Sequence, residues 1–450
     1  MNRQQRRAAE KQSRKKHNIG LSDVLSNAMS LHQEGHLVEA ENNYRAILKA
    51  MPNHPDAGHY LGLLLHQQGQ SAEGIALIKQ ALDILPTYTD ALNNLGNIYK
   101  EMGELEQAAN NYRKVLKLFP DYALALNNLG VVLQNQGNFD EAIEVLNKAT
   151  ELSPDNFDFF QNLGNAYQKQ GDLKKAVKAF QKSIALQPYQ EDAYKNLWRT
   201  CYLANEFDEA ISILRQWLSF DPENPIALHT LVAQTGEGVI PERASDNYIQ
   251  QTFDKFASTF DRVLKNLEYH APELVSTAVS HIYQAIQNLK VLDAGCGTGL
   301  CGPLLRPYSA TLVGIDLSQK MLDKAAERLI YDNLIEAELV SYLKQYTSAF
   351  NLIVSADTLV YFGDLEPFFR AAKNALLPGG HVVFTLEKMN NGKNYRLNHH
   401  GRYSHSKGYL ETVVNKAGLT LCGVEEVILR KEAGEPVLGF LVTALFNLAD

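Results

Sequence analysis

The sequence predicts a multidomain chain: an all-α array of helix pairs wound into a superhelix, then an α/β, Rossmann-like domain with a parallel sheet and a terminal antiparallel hairpin. Three observations predict it. Residue types recur at an offset of 34 through the first half of the chain. Past residue 240 the helical period gives way to short apolar runs alternating with helical stretches. The length of 450 residues is about three times that of a usual domain, so two or three domains are expected.

The repeat is read column by column. Pro52, Pro86, Pro120, Pro154, Pro188 and Pro222 fall in one column, and Ala28, Gly62, Gly96, Gly130, Gly164 and Trp198 in a second. A third holds Gly35, Gly69, Gly103, Gly137, Gly171 and Asn205. A fourth holds Ala40, Gly74, Ala108, Ala142, Ala176 and Ala210, followed four residues on by Tyr44, Ile78, Tyr112, Leu146, Phe180 and Leu214. The small residue lets two helices approach, the third-column residue turns the chain between them, and the proline ends the second helix. The period and pattern resemble the tetratricopeptide repeat, with six copies over about residues 21–222. The resemblance implies a superhelix whose concave face binds a protein or peptide.

Two positions before the small residue stand Asn94, Asn128, Asn162 and Asn196, preceded by Ser26 and Tyr60. A carboxamide donates and accepts at once, so a ladder of them could hold an extended peptide backbone without reading its sequence. The column resembles the asparagine ladder of O-linked N-acetylglucosamine transferase. Solvation, or bonds to neighbouring helices, would account for the same residues.

Past Pro222 and Pro225 the register is lost, Ile226–Gln234 forms a last capping helix, and Thr235–Pro241 reads as linker. The expected domains are a basic tail over 1–20, repeats and cap over 21–236, a linker over 237–247 and a second domain over 248–450. Apolar residues at helical spacing (Ile249, Phe253, Phe256, Phe260, Val263) open that second domain. Lys290–Gly295 and Ala310–Asp316 are strand-like runs flanking a glycine-rich turn, with further runs at Ala349–Ala356 and His381–Leu386. Leu419–Arg430 and Pro436–Phe446 are close enough to pair as a hairpin.

The glycine turn parses two ways. Asp293-Ala-Gly295-Cys-Gly297-Thr-Gly299 is D-x-G-x-G-x-G, while Gly297-Thr-Gly299-Leu-Cys-Gly302 is the G-x-G-x-x-G of a dinucleotide site. Asp293 could face the ammonium of a bound amino acid and would sit poorly beside a pyrophosphate. Asp316 ends the next strand, where an acid accepts hydrogen bonds from a ribose diol in either case. With the continuation Asp316-Leu-Ser-Gln-Lys-Met321-Leu and with Leu376-Leu-Pro-Gly-Gly380, the region 248–446 resembles the class I S-adenosylmethionine-dependent methyltransferases.

That resemblance implies S-adenosyl-L-methionine as cofactor and an unidentified methyl acceptor. It places Asp293, Gly295, Gly297 and Gly299 at the methionine end, Asp316 on the ribose with Leu317 and Met321 beside it, and Glu338 and Leu339 at the adenine. Asp357 would lie at the rim facing the methyl group, or cap the following helix. The polar segment Asn390–Tyr409 offers Arg396 and Arg402 to pair with an anion and Tyr403 or His405 to accept a proton, with Tyr361 a further candidate. A hydrogen-bonded surface lid, or core packing for Tyr361, would explain these equally. The helix bearing Phe253, Phe256 and Phe260 is expected to fold over the cofactor as a lid.

Composition bounds the rest. The net charge of −8 hides a tail in which residues 1–16 hold seven Lys/Arg against Glu10, leaving −14 for the remainder, so no specific nucleic-acid binding is expected. Cys201, Cys296, Cys301 and Cys422 form no CxxC pair, which leaves no framework for disulfides or a structural metal. With no apolar run long enough to span a bilayer, a cytoplasmic protein is expected. Two further readings stand beside methyl transfer: an inactive assembly adaptor that uses the repeats alone, and an NAD-dependent dehydrogenase.

Overall fold

The computed structural model describes residues 21–285, 288–390, 392, 394–432 and 434–447. The basic tail lies outside them. The chain divides into two compact units, the first ending at Ile213 and the second running from Leu214.

The first unit is built of helix pairs: α1 (21–33) with α2 (Leu37–Ala50), α3 (Pro55–Gln67) with α4 (Ser71–Ile84), and α5 (Thr89–Glu101) with α6 (Leu105–Leu118). These are followed by α7 (Ala123–Gln136) with α8 (Phe139–Leu152), α9 (Phe157–Gln170) with α10 (Leu173–Leu186), and α11 (Glu191–Leu203) with α12 (Phe207–Phe220), the last crossing the boundary. Each column proline lies two residues beyond the end of its second helix. The turn column adopts left-handed backbone in all six copies, from φ 78° to 96° in the glycines and 58° at Asn205. That conformation is nearly free for glycine and tolerated by asparagine, which is why the sixth copy departs to Asn.

Close packing explains the second column. A Cβ at Gly96 would lie 2.6 Å from the Tyr112 ring, one at Gly130 2.4 Å from Leu146 Cγ, and one at Gly164 2.6 Å from Phe180. The bulky partners Tyr112, Leu146 and Phe180 are fully buried. These three repeats thus press a large side chain onto bare backbone of the sister helix, a contact worth more than the glycine costs in helix propensity.

The second unit opens with α13 (Pro225–Thr235), α14 (Asp246–Phe256), α15 (Phe260–Asn266) and α16 (Ala271–Ile282). There follow β1 (Leu289–Ala294), α17 (Gly302–Leu305), β2 (Ser309–Asp316), α18 (Gln319–Ala326), β3 (Asn333–Glu336), α19 (Leu339–Leu343) and β4 (Phe350–Ser355). The chain closes with α20 (Glu366–Ala375), β5 (Leu376–Lys388), β6 (Tyr395–Leu397), β7 (Tyr403–His405), α21 (Lys407–Lys416), β8 (Thr420–Glu432) and β9 (Glu435–Leu445). The strands β3-β2-β1-β4-β5 run parallel, β9 pairs antiparallel with β5, and β8 pairs with β9. Past the end of β4, β5 also takes β7, which hairpins with β6. The polar segment read as a connection therefore contains a short hairpin, and β3, half-exposed and four residues long, offered only Leu334 and Ile335 as an apolar run.

The division between units falls before α13 because that helix is bonded to the second unit. His229 Nε2 bonds the carbonyl of Gly401 at 2.8 Å, Gln234 donates to the carbonyl of His399 at 2.6 Å, and the His229 ring stacks on Tyr248.

A Gly130→Ala substitution is expected to destabilise the first unit by about 1–3 kcal/mol, the usual penalty for overpacking a tight core contact. Denaturant melts of the full chain check this; an unchanged midpoint would show that Leu146 yields freely.

Candidate active site

In the order β3-β2-β1-β4-β5 the direction of strand succession reverses beside β1, and ligands of open α/β sheets bind outside the carboxyl ends of the strands at such a point. A cavity of about 300 Å³ lies there. Its wall takes Gly295 and Gly297 after β1, Asp316 and Leu317 after β2, Met321 from α18, Glu338 and Leu339 after β3, and Asp357 and Tyr361 after β4.

The glycine turn is fixed by backbone bonds. The amides of Gly295 and Cys296 both donate to the carbonyl of Ile315 at 2.9 Å, bending the chain back over the end of β2. Gly295 (φ 78°) admits no side chain, since a Cβ would lie 2.3 Å from Thr358, whose Oγ1 donates to the Gly295 carbonyl. Asp316 is oriented from both sides: its Oδ2 accepts from the Gly297 amide and its Oδ1 from the Ser318 amide, each at 2.9 Å. Burial pushes the Asp316 carboxyl up, and these backbone donors oppose the shift. The carboxylate keeps free lone pairs at the cavity wall.

Asp293 and Gly299 do not line the cavity. Asp293 is buried one layer behind, its Oδ2 accepting a 2.6 Å bond from the Tyr331 hydroxyl while Oδ1 has no partner. Burial pushes its carboxyl up to about 7, against the Tyr331 bond, which favours the charged form. Glu338 lines the cavity but spends both oxygens on the amides of Val340 (3.0 Å) and Ser341 (2.7 Å), as the N-cap of α19. Met321 and Leu339 are buried at the apolar side of the same wall.

Opposite the glycine turn stands a group of charges that the sequence did not join. Arg430, 3% exposed, donates from Nη1 to Asp357 at 2.7 Å and from Nε to Glu432 at 2.8 Å, and its Nη2 meets Glu387. Arg402 donates to the same Glu387 at 2.6 Å and Glu432 at 2.5 Å. Burial works against ionisation of Glu387 and Glu432, but the two guanidinium charges outweigh it and hold both below the ordinary carboxylate range. Asp357 differs: burial dominates, Arg430 opposes it, and its carboxyl is pushed up. Its backbone is left-handed (φ 56°), its amide donates to Thr385 Oγ1 at 2.8 Å, and its Oδ1 has no partner. A non-glycine residue held there stores strain of the kind that gathers at functional sites. Nothing in the sequence of Glu387, Arg430 and Glu432 marked them beyond being charges at the ends of apolar runs.

The structure corrects two of the acceptor-side expectations. Tyr403 is fully buried with its hydroxyl donated to the carbonyl of Pro241 at 2.8 Å, and His405 is fully buried with Nε2 bonded to the carbonyl of Gly363 at 3.0 Å. Burial pulls His405 down to about 4, and neither side chain reaches the cavity. Both were drawn inward because β7 pairs with β5. Arg396 is exposed and bonds Asn398 instead. Tyr361 lines the cavity, edge-on to Phe253.

The helices α14 and α15 bury none of their own residues, yet Phe253, Phe256 and Phe260 line the cavity. Two carboxylates hold them to the turn: Asp254 accepts from Ser318 Oγ and Asp261 from Thr298 Oγ1, each at 2.5 Å. In the first unit the asparagine column is turned to its neighbours. Asn94 Nδ2 lies 3.0 Å from His59 Nε2, Asn128 Nδ2 donates to Asn93 and Asn97, Asn162 to Asn127 and Asn196 to Asn165. These amide donors stitch successive repeats together. Among the described residues no helix is long and apolar enough to cross a membrane.

Comparison with known proteins agrees with both halves. A family model described as a methyltransferase domain matches residues 292–384. Models of the tetratricopeptide repeat match residues 25–89, 77–109, 96–137, 135–171 and 167–235. The malonyl-[acyl-carrier protein] O-methyltransferase of Priestia megaterium is 26% identical over 186 residues, 40% of this chain and 64% of that protein. The ubiquinone biosynthesis O-methyltransferase of Thiobacillus denitrificans is 35% identical over 114 residues, 24% of this chain and 48% of that one. The chain thus spans between about half and 64% of these relatives' lengths. The crystal structure of MamA matches at 27% identity and a TM-score of 0.34, over 36% of this chain and 94% of that one. The chain thus matches tetratricopeptide repeats over residues 25–235 and a methyltransferase domain over residues 292–384.

The raised Asp293 carboxyl gives a signed prediction. Its proton is held more tightly folded than unfolded, so the stability it contributes is complete below about pH 4 and is lost as pH rises through about 7. A displacement of that size corresponds to roughly 4 kcal/mol. Asp293→Asn is expected to melt with the wild type at pH 4 and several degrees above it at pH 8; parallel pH profiles would refute the assignment.

Proposed function

We propose that the second unit transfers the methyl group of S-adenosylmethionine to an acceptor held against Asp357, and that the repeats bind a protein partner or the protein that carries the acceptor. The observation that carries this is the convergence on one cavity of an amide-oriented Asp316 at the end of β2, a glycine turn bare of side chains, and the partnerless carboxylate oxygen of Asp357.

The residues fit the cofactor chemically. Asp316 would accept from the ribose hydroxyls, Leu317, Met321 and Leu339 would flank the adenine, and the Gly295–Gly297 backbone would receive the methionine end. Glu338, spent on its cap, would contribute its stem. Asp293 would act through Tyr331 and the turn, from behind the wall. Bound there, S-adenosylmethionine supplies an activated methyl group, so the protein has chiefly to align the acceptor about 3 Å away and exclude water. Phe253, Phe256 and Phe260 are placed for the second task. The adaptor reading needs none of this oriented polar machinery, and the dehydrogenase reading would set the buried Asp293 behind a pyrophosphate.

Calorimetric titration with S-adenosylmethionine, S-adenosylhomocysteine and NAD checks the assignment. Micromolar binding of the first two is expected, weakened about tenfold or more in Asp316→Ala by loss of paired charge-assisted bonds. Failure of all three to bind would favour the adaptor, and binding of NAD alone the dehydrogenase.

A further inference from the structure

We infer that the methyl acceptor is an uncharged hydrogen-bond donor, a hydroxyl or neutral amine on an apolar body, and that the cavity rejects carboxylates and phosphates. The inference rests on the methyl-transfer reading and adds the class of acceptor to it.

Cations first suggest an anion site, since three arginines line the cavity among the described residues: Arg243, Arg402 and Arg430. Each is already paired. Arg243 holds Asp246 at 2.6 Å, Arg402 holds Glu387 and Glu432, and Arg430 holds Asp357, Glu387 and Glu432. To take up an anion, Arg402 or Arg430 would have to loosen its hold on Glu387, whose side chain is 5% exposed, or on the partly exposed Glu432, leaving each carboxylate to a single guanidinium. The charge balance points the same way. Asp357, Glu387 and Glu432 are three carboxyl groups set against two guanidinium groups, so this wall has no surplus of positive charge even with the Asp357 carboxyl pushed up. His400, 3.4 Å from Glu387, is pulled down by burial and by Arg402 and does not redress it.

What Asp357 lacks is a second donor. Asp357 Oδ1 has no partner, while Oδ2 is fixed by Arg430 and the left-handed backbone is fixed through Thr385. A buried acceptor atom left unpaired is penalised, so a ligand that brings an O–H or N–H to it is favoured. Phe253, Phe256, Phe260, Val263 and Leu264 give the cavity an apolar side. In the transfer, the acceptor's O–H or N–H bond breaks and its proton passes to Asp357 Oδ1. The acceptor's electron pair forms the bond to the methyl carbon, and the carbon–sulfur bond breaks with its pair retained on sulfur, leaving S-adenosylhomocysteine.

Two probes of matched shape, 4-ethylphenol and 4-ethylbenzoate, test this at pH 7 by calorimetry on the full chain saturated with S-adenosylhomocysteine. The phenol is expected to bind at least about tenfold more tightly, the scale of one charge-assisted contact won or lost. In Glu432→Gln, which relaxes the hold on Arg402 and Arg430, that preference is expected to shrink about tenfold; a thermal melt reports whether the variant is folded. Equal or tighter binding of the benzoate by the wild type, or binding of neither probe, overturns the inference. Failure of S-adenosylhomocysteine itself to bind would instead sink the methyl-transfer reading, so the two failures are distinct.

Discussion

A guanidinium that is 3% exposed must be matched by carboxylates, and the demand of Arg430 organises the acceptor side of the second unit. Three carboxylates answer it, Asp357 from the loop after β4, Glu387 from the end of β5 and Glu432 from the end of β8, and Arg402 shares the last two. The closing hairpin of β8 and β9 is therefore more than an edge for the sheet, since without it Asp357 and Glu387 would face one another with a single compensating charge. The same pairing drains the cavity of free positive charge. An arginine-lined pocket is in this way made unreceptive to anions.

The cofactor side obeys a different constraint. Every strand end at the switch point offers unpaired backbone groups, and the glycine turn spends them on its neighbour: two amides on Ile315, a third on Asp316. Asp316 is thereby held without any cation, so its remaining lone pairs stay open toward the cavity. Asp357 is held differently, by Arg430 through Oδ2, with Oδ1 left without a partner. Two carboxylates on one cavity are thus oriented by opposite kinds of partner, backbone amides for Asp316 and a guanidinium for Asp357.

How much of this was legible follows from the range of each interaction. The repeat was readable because each role recurs at a fixed interval: Gly130 against Leu146 and Gly164 against Phe180 lie within one helix pair. Asp316 and the glycine turn were readable because a βαβ crossover confines them to some twenty residues. The partners of Arg430 lie 73 and 43 residues upstream, joined only by the pairing of β5 with β9 and β9 with β8, which no local pattern encodes. Tyr403 and His405 went astray for the same reason. Their polarity marked a substrate loop, but the pairing of β7 with β5 turned them into the interior. The asparagine column shows the converse, a regular pattern whose regularity serves inter-repeat bonds between residues 31 to 35 apart.

These contacts also decide which wall of the cavity can give way. The segment 398–403 is gripped from outside by His229 and Gln234 and from inside by the ion pairs of Arg402, so lifting it would leave the buried Glu387 to Arg430 alone. That rupture is costly because the charge left short of a partner is buried. The helices α14 and α15 present the opposite case. None of their residues is buried, and apart from the Tyr248 ring on His229 and Phe253 against Tyr361 they are held by polar contacts that water can replace, among them the hydroxyl–carboxylate bonds to Ser318 and Thr298 and the ion pair of Asp261 with Arg328. Swinging them outward exposes three phenylalanines and frees Thr298 and Ser318, the residues beside the glycine turn and Asp316. The bonds that close this wall are made to Thr298 in the glycine turn and to Ser318 beside Asp316, so displacing the two helices would disturb the turn itself.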